Sequence, residues 1–241
     1  KPIAANTNGI FECLEKGAEY IHWDEKRKAY QNQTGDIRRG VGMALFSYKT
    51  GVWPISLEIA GARLSLNQDG SVQLQVGATE IGQGADTVFS QMAAETLHMD
   101  ISRVHIVTQQ DTDVTPFDTG AYASRQSFVT GTAVKECAQQ LKQKILEYAR
   151  TLVPGNVDRL ELEDGYILAD GKPAISLEDL AMESYYSLSN SSVLTAEVSR
   201  QVKKNTVASG CCFAEVEVDM KLGKIKVLDI VNVHDSGTLL N

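Results

Sequence analysis

Residues 56–97 read SLEIAGARLSLNQDGSVQLQVGATEIGQGADTVFSQMAAETL, and they decide the fold class. Ser56–Leu66 alternates apolar with polar residues, with Leu57, Ile59, Leu64 and Leu66 among Ser, Glu and Arg. Ser71–Val76 alternates again at Val72, Leu74 and Val76. Asn67-Gln68-Asp69-Gly70 between them is a turn signal, so the two runs predict a β-hairpin. From Gly84 the period changes. Ala85, Val88, Phe89, Met92, Ala93 and Leu97 mark one face of an amphipathic helix. Strand, glycine turn and helix thus follow within one short span.

Outward from this core, Phe11 to about Tyr30 has helical spacing at Phe11, Leu14, Ala18 and Ile21. Gly40–Tyr48 predicts a strand. Val104 to Thr108 predicts a short one. Val134 to Leu152 marks the longest helix, which Pro154-Gly155 ends. Leu160 to Leu168 fits a hairpin about Asp164-Gly165. Ser176 caps a short helix to about Ser184. A last hairpin turns at Leu222-Gly223-Lys224 and returns from Ile225 to Val233. Helices and antiparallel hairpins alternate without a regular βαβ repeat, so the class is α+β, with antiparallel or mixed sheets and packed helices. A boundary near Pro154 divides the chain into segments 1–153 and 154–241.

At 241 residues, 43% hydrophobic and 22% charged, the chain can bury a core and is not a disordered one. A net charge of −8 argues against nucleic acid as a partner. Residues 1–9 lack the apolar run of a signal peptide, and no window is long and apolar enough to span a membrane. Cys13, Cys137, Cys211 and Cys212 show no CxxC pairing, so they are expected to be small buried or half-buried thiols in a reducing cytoplasm. The chain begins at Lys1 without Met and stops at Asn241 inside structured sequence. It is therefore expected to be a piece of a longer protein.

Two loops carry candidate chemistry. Gly77-Ala-Thr-Glu-Ile-Gly-Gln-Gly84 lies between strand and helix, where free N–H groups and the positive helix end suit an anion. It is not a Walker A loop, because Gln83 and Gly84 replace the Lys and the hydroxyl. The Gln83 amide donates and accepts at once, which suits a heterocycle or an oxo group. A purely structural turn remains the alternative. Residues 110–127, QDTDVTPFDTGAYASRQS, form a long polar loop into the longest helix. Asp111, Asp113 and Asp118 do not fit the EF-hand pattern and are expected to cap and turn the chain locally. Arg125 adds a positive charge at this second helix entrance. Two such entrances could grip one polyanionic ligand.

These stretches carry a resemblance. GATEIGQGADTVFSQMAAETL (77–97) and QDTDVTPFDTGAYASRQSFVTG (110–131) closely resemble the molybdenum-binding subunit of bacterial xanthine dehydrogenases. The tail from Cys211, GIFECLEKG (9–17) and RRGVGMALFSY (38–48) resemble it too. The resemblance implies part of the molybdopterin-binding region of the xanthine oxidase family. Such enzymes hydroxylate a purine or another heterocycle, with water as the oxygen source. Electrons pass from molybdenum to 2Fe-2S clusters and FAD on partner subunits or domains. The cofactor is a molybdopterin, in bacteria often the cytosine dinucleotide. By the resemblance, Gly82, Gln83 and Gly84 contact the pterin, and Tyr122, Ala123, Ser124, Arg125 and Gln126 lie along the pterin and its phosphate. The remainder of the subunit is the implied partner.

The departures are equally specific. The family's Gly- and Phe-rich upstream loops are absent, and so is the GEPP-like motif that carries the general base. Glu80 is expected to brace its turn rather than substitute for that base. Animal members carry small residues where Tyr122 stands, so the substrate is not inherited with the motif. The chain alone is expected to be inactive. A stand-alone anion- or nucleotide-binding module and a structural assembly module are the alternatives. His105 is expected to be an exposed strand residue. His234-Asp235 lacks the GxSxG partner of a hydrolase. Glu25–Lys28 is expected to be a solvated helix face.

Overall fold

A computed structural model describes residues 8–239. Lys1–Thr7 and Leu240–Asn241, on which the expectations about the chain's start and stop rest, lie outside the described residues. The architecture is α+β, with three separate sheets among the described residues. The chain divides at Thr50 and Lys204, so the boundary expected near Pro154 is not where it separates. The reason is a shared core. Leu160, Leu162, Ile167, Leu177 and Leu180 bury in the same cluster as Leu64, Leu74, Phe89 and Leu141.

The first unit joins the two ends of the chain, residues 1–50 and 205–241. Helices α1 (Ile10–Ile21) and α2 (Trp23–Ala29) accompany a sheet of β1 (Ile37–Thr50), β9 (Thr206–Asp219) and β10 (Lys224–Asp235). All of its pairings are antiparallel. The single helix expected from Phe11 to Tyr30 is two, because His22 takes the left-handed conformation (φ 58°) and breaks the ladder. Cys13 and Ile21 of α1 bury against Cys211 and Phe213 of β9. Glu25–Lys28 is not wholly solvated, since Lys26 Nζ lies 2.6 Å from the buried Glu215 carboxylate.

The second unit, residues 51–204, carries both candidate loops. Its main sheet has the order β4-β3-β2-β8, built from β2 (Ile59–Leu66), β3 (Val72–Val76), β4 (Val104–Ile106) and β8 (Thr195–Gln201). The predicted β2–β3 hairpin is present. Leu64 and Leu66 bury as expected, but the first half of the Ser56–Leu66 run has the other parity. Glu58, Ala60, Ala62, Leu64 and Leu66 bury, while Leu57 is exposed. Strand β4 pairs parallel with β3, and α3 (Ala85–Leu97) makes the crossover. α4 (Gln126–Leu152) packs on β2, β8 and α3, and buries Val134, Cys137, Leu141 and Ile145. Strands β5 (Leu160–Glu163), β6 (Tyr166–Ala169) and β7 (Lys172–Ser176), with α5 (Leu177–Tyr186), complete the unit. Ser176 Oγ caps α5 by accepting the Asp179 N–H.

All four cysteines are free thiols, three buried and Cys212 half-buried. Burial pushes the Cys137 thiol up to about 11, which favours the neutral thiol over the reactive thiolate. His105 is exposed on β4. Among the described residues no group of three His, Cys, Asp or Glu could hold a metal ion, and no helix is long and apolar enough to cross a membrane.

Candidate functional site

The hairpin and the crossover place the two helix entrances side by side. Gly77 follows β3, and an ideal Cβ there would meet the Pro116 carbonyl at 2.1 Å and the Asp118 nitrogen at 2.7 Å. The second loop thus rests directly on the base of the first. It also lies over β2, where Gly61 N–H donates to Phe117 O at 2.8 Å.

Within the first loop, Glu80 braces the turn, as expected. Its carboxylate accepts the N–H groups of Gly82 (2.7 Å), Gly84 (3.1 Å) and Asp86 (3.1 Å). These bonds, led by that of Asp86, hold the Glu80 pKa below its ordinary value. Asp86 is pushed the other way, first by desolvation and then by the Glu80 charge. The consequence corrects one expectation. The Gly82, Gly84 and Asp86 N–H groups are already taken by an internal anion, so these three are not free for a ligand.

A depressed carboxylate stabilises the turn fully above its unfolded pKa, and the contribution is lost as pH falls through the folded value. The amide resonances of Gly82, Gly84 and Asp86 should therefore shift together on acidification. Their common midpoint should lie below the unperturbed Glu value of about 4.3. Independent midpoints for the three amides would refute the brace.

Gln83 and Gln126 join the loops. The Gln83 side-chain NH₂ donates to Gln126 Oε1 and to Thr79 O, the latter at 3.0 Å. Gln126 Nε2 donates to the same Thr79 O at 3.1 Å. Gln83 Oε1 accepts the Ile81 N–H at 2.7 Å. Each amide oxygen keeps one acceptor position, and Gln126 keeps one N–H. Gly82 (φ 94°) and Gly84 (φ 82°) use a left-handed backbone that favours glycine, and open space lies where their Cβ atoms would be.

Arg125 departs from its expected role. Its side chain is fully buried, with Nε 2.7 Å from Glu58 and Nη1 2.6 Å from Asp118. Nη1 also donates to Gly120 O (3.0 Å) and Nη2 to Ile59 O (2.9 Å). Burial works against the charged form, but the Glu58 and Asp118 carboxylates more than offset it, so the pKa is raised. One cation between two carboxylates leaves no net positive charge to attract a polyanion. Arg125 is instead an internal tie that shapes the loop. Glu58 was not a candidate from sequence, and its only signal is an acid at an inward position of an alternating run. Asp118 also accepts from Thr130 (2.7 Å) and the Gly120 N–H (2.8 Å), which is a local structural role rather than a metal ligand's. Asp111 likewise accepts the Asp113 N–H.

Above this tie the chain turns sharply. Ala123 and Ser124 both have φ of 50°, and Ala123 O accepts the Gly51 N–H at 2.8 Å. Two consecutive non-glycine residues in this region cost about 1–3 kcal/mol each and are held by their surroundings. The Tyr122 ring sits 5.6 Å from the Arg125 guanidinium carbon. Phe128 and Val129 N–H donate to Arg125 O, which leaves the first-turn N–H groups of Gln126 and Ser127 without a partner among the described residues. Nor do the hydroxyls of Tyr122, Ser124 and Ser127 bond to any described residue. These groups surround an open cavity of about 380 Å³, lined also by Ile81, Gln83 and Ala121. The donor set suits a polar ligand with several acceptor atoms and a flat, partly apolar body.

A family model described as a molybdopterin cofactor-binding domain matches residues 16–241. The xanthine dehydrogenase molybdenum-binding subunit of Escherichia coli O157:H7 is 49% identical over 236 residues, covering 97% of this chain and 31% of that protein. Among solved structures, CO dehydrogenase from Oligotropha carboxidovorans aligns with a TM-score of 0.83 at 21% identity, over 99% of this chain and 32% of that one. Quinoline 2-oxidoreductase from Pseudomonas putida 86 aligns at 0.81 and 21% identity, over 95% and 31%. The chain thus spans about a third of the length of each of these relatives. Fold and sequence agree, and the chain belongs to the molybdopterin cofactor-binding domain family.

Proposed function

We propose that the cavity between the two helix entrances is part of a molybdopterin cradle in a xanthine dehydrogenase-type molybdenum hydroxylase. The observation that carries this is the Gln83–Gln126 bond, which brings both loops onto one open cavity. Gly82 and Gly84 leave the approach clear, and the remaining acceptor of Gln83 and the N–H of Gln126 meet the pterin edge. Ser124, Ser127 and the first-turn N–H groups of α4 receive its phosphate, and Tyr122 closes one side. Ala123 and Arg125 shape the loop from beneath. When bound, the cofactor supplies the molybdenum centre at which a carbon of a purine or similar heterocycle is oxidised, with water as the oxygen source.

The chain spans about a third of its relatives, and the rest of the machinery is assigned to other parts of the enzyme. The remainder of the molybdenum subunit supplies the general base and the other walls of the site. FAD and 2Fe-2S partners take the electrons, and the enzyme works in the cytoplasm. The pterin carries the cytosine dinucleotide or no nucleotide, and mass spectrometry of the released cofactor distinguishes them.

In the intact enzyme, Gln83→Ala removes the bridge between the loops and one acceptor. Each lost hydrogen bond is worth about 1 kcal/mol. Cofactor retention should fall on the order of tenfold, the equivalent of about 1.4 kcal/mol. Molybdenum content by elemental analysis and pterin content by fluorescence should fall together. Unchanged occupancy of both in a folded variant would refute the assignment.

A further inference from the structure

The sheet of β1, β9 and β10 has its charges on the wrong side for a surface sheet. Residues paired across the strands share a face, so the register sorts them. Val41, Cys211 and Phe213 face the helices and bury. Arg39, Lys49, Glu215, Glu217, Lys226 and Asp229 have the same parity and lie on that side too. On the opposite side Arg38 lies at one end, paired with Val218 beside Ile225, and beyond it, from Gly40 to Tyr48, Ala208 to Val216 and Val227 to His234, no Asp, Glu, Lys or Arg occurs. Its large side chains are exposed: Phe46 38%, Tyr48 51%, Ile225 69%, Val227 54% and Ile230 55%. A sheet with one covered face normally turns polar residues to water on the other. Here the open face has the composition of a covered one.

We propose that this uncharged face seats polypeptide of the same subunit that lies outside these 241 residues. The length argument selects that occupant, since the chain covers only 31% of its Escherichia coli O157:H7 relative, so most of such a subunit lies elsewhere. Composition points the same way. A partner that comes and goes meets a surface about as polar as the rest of the protein, whereas a face without charges fits a permanent neighbour. The small residues Gly42 and Ala44 of β1 and Cys212 and Ala214 of β9 leave part of this face low, while the Phe46 ring covers Gly210.

The test uses the full-length subunit with Tyr48 replaced by photoreactive p-benzoylphenylalanine. Irradiation should join position 48 to a peptide of the same chain outside residues 1–241, with no gain in mass on a denaturing gel. A band of two chains, a link to another subunit, a link only within residues 1–241, or no link at all would each overturn the proposal. Native Cys212 gives a second reading that requires no substitution. It should react with N-ethylmaleimide at least tenfold more slowly in the folded full-length subunit than after unfolding, at every protein concentration. Equal rates, or protection that vanishes on dilution, would overturn it.

Discussion

Arg125→Met in the full-length subunit should be among the most destabilising single substitutions in this region, by about 3–5 kcal/mol, the usual effect of removing one partner from a buried ion pair. The methionine fills similar space, so the loss comes from stranding charge. Glu58 and Asp118 would remain fully buried without a counter-ion. The Gly120 and Ile59 carbonyls would lose their donor as well. Arg125→Lys should fall between the two, because a point charge cannot serve four acceptors set around a planar fork. Chemical denaturation should register the order Arg, Lys, Met in decreasing midpoint. Molybdenum occupancy should follow the same order, since the tie supports the Tyr122–Ser124 turn. A Met variant with an unchanged midpoint would remove the tie from the account.

Gly77→Ala should be the second large effect. A methyl group there cannot coexist with the Pro116 carbonyl at 2.1 Å, which is backbone and cannot swing aside. Overpacking of this kind costs about 1–3 kcal/mol. It should also push residues 116–118 off the first loop and draw Asp118 away from Arg125. Hydrogen exchange should therefore quicken in the 117–125 segment while the α4 core stays protected. Gly82→Ala provides the contrast. It meets open space, so only its left-handed backbone (φ 94°) resists the substitution, at roughly 1 kcal/mol. Equal losses for the two variants would show that close approach is not what makes Gly77 necessary.

Much of the fold was legible because its signals are local. Alternation at Val72, Leu74 and Val76, the period change at Gly84, and the caps at Ser176 and Asp69–Gly70 act within a few residues. The misses have equally definite causes. His22 breaks a helix by its backbone conformation, which periodicity does not report. Strand β8 lies among polar residues, Thr195 to Gln201, and gains its place by pairing with β2. The division of the chain depends on which segments share a core, and a proline does not mark that.

The candidate site divides in the same way. From sequence alone came the two glycine- and serine-rich helix entrances, the amide at Gln83, the bracing role of Glu80 and the family. Only the tertiary structure decided what each charged group faces. Glu58 and Arg125 are 67 residues apart in the chain, and no local spacing links them. That pairing turned an expected anion-binding cation into a buried tie. Glu80 takes three N–H groups at the first helix entrance, whereas the Gln126 and Ser127 N–H groups of α4 have no partner among the described residues. Likewise, the register alone separated the charged and uncharged faces of the β1–β9–β10 sheet. Secondary structure follows from short-range sterics and periodicity. Electrostatic role follows from burial and partnership, which exist only after distant segments have met.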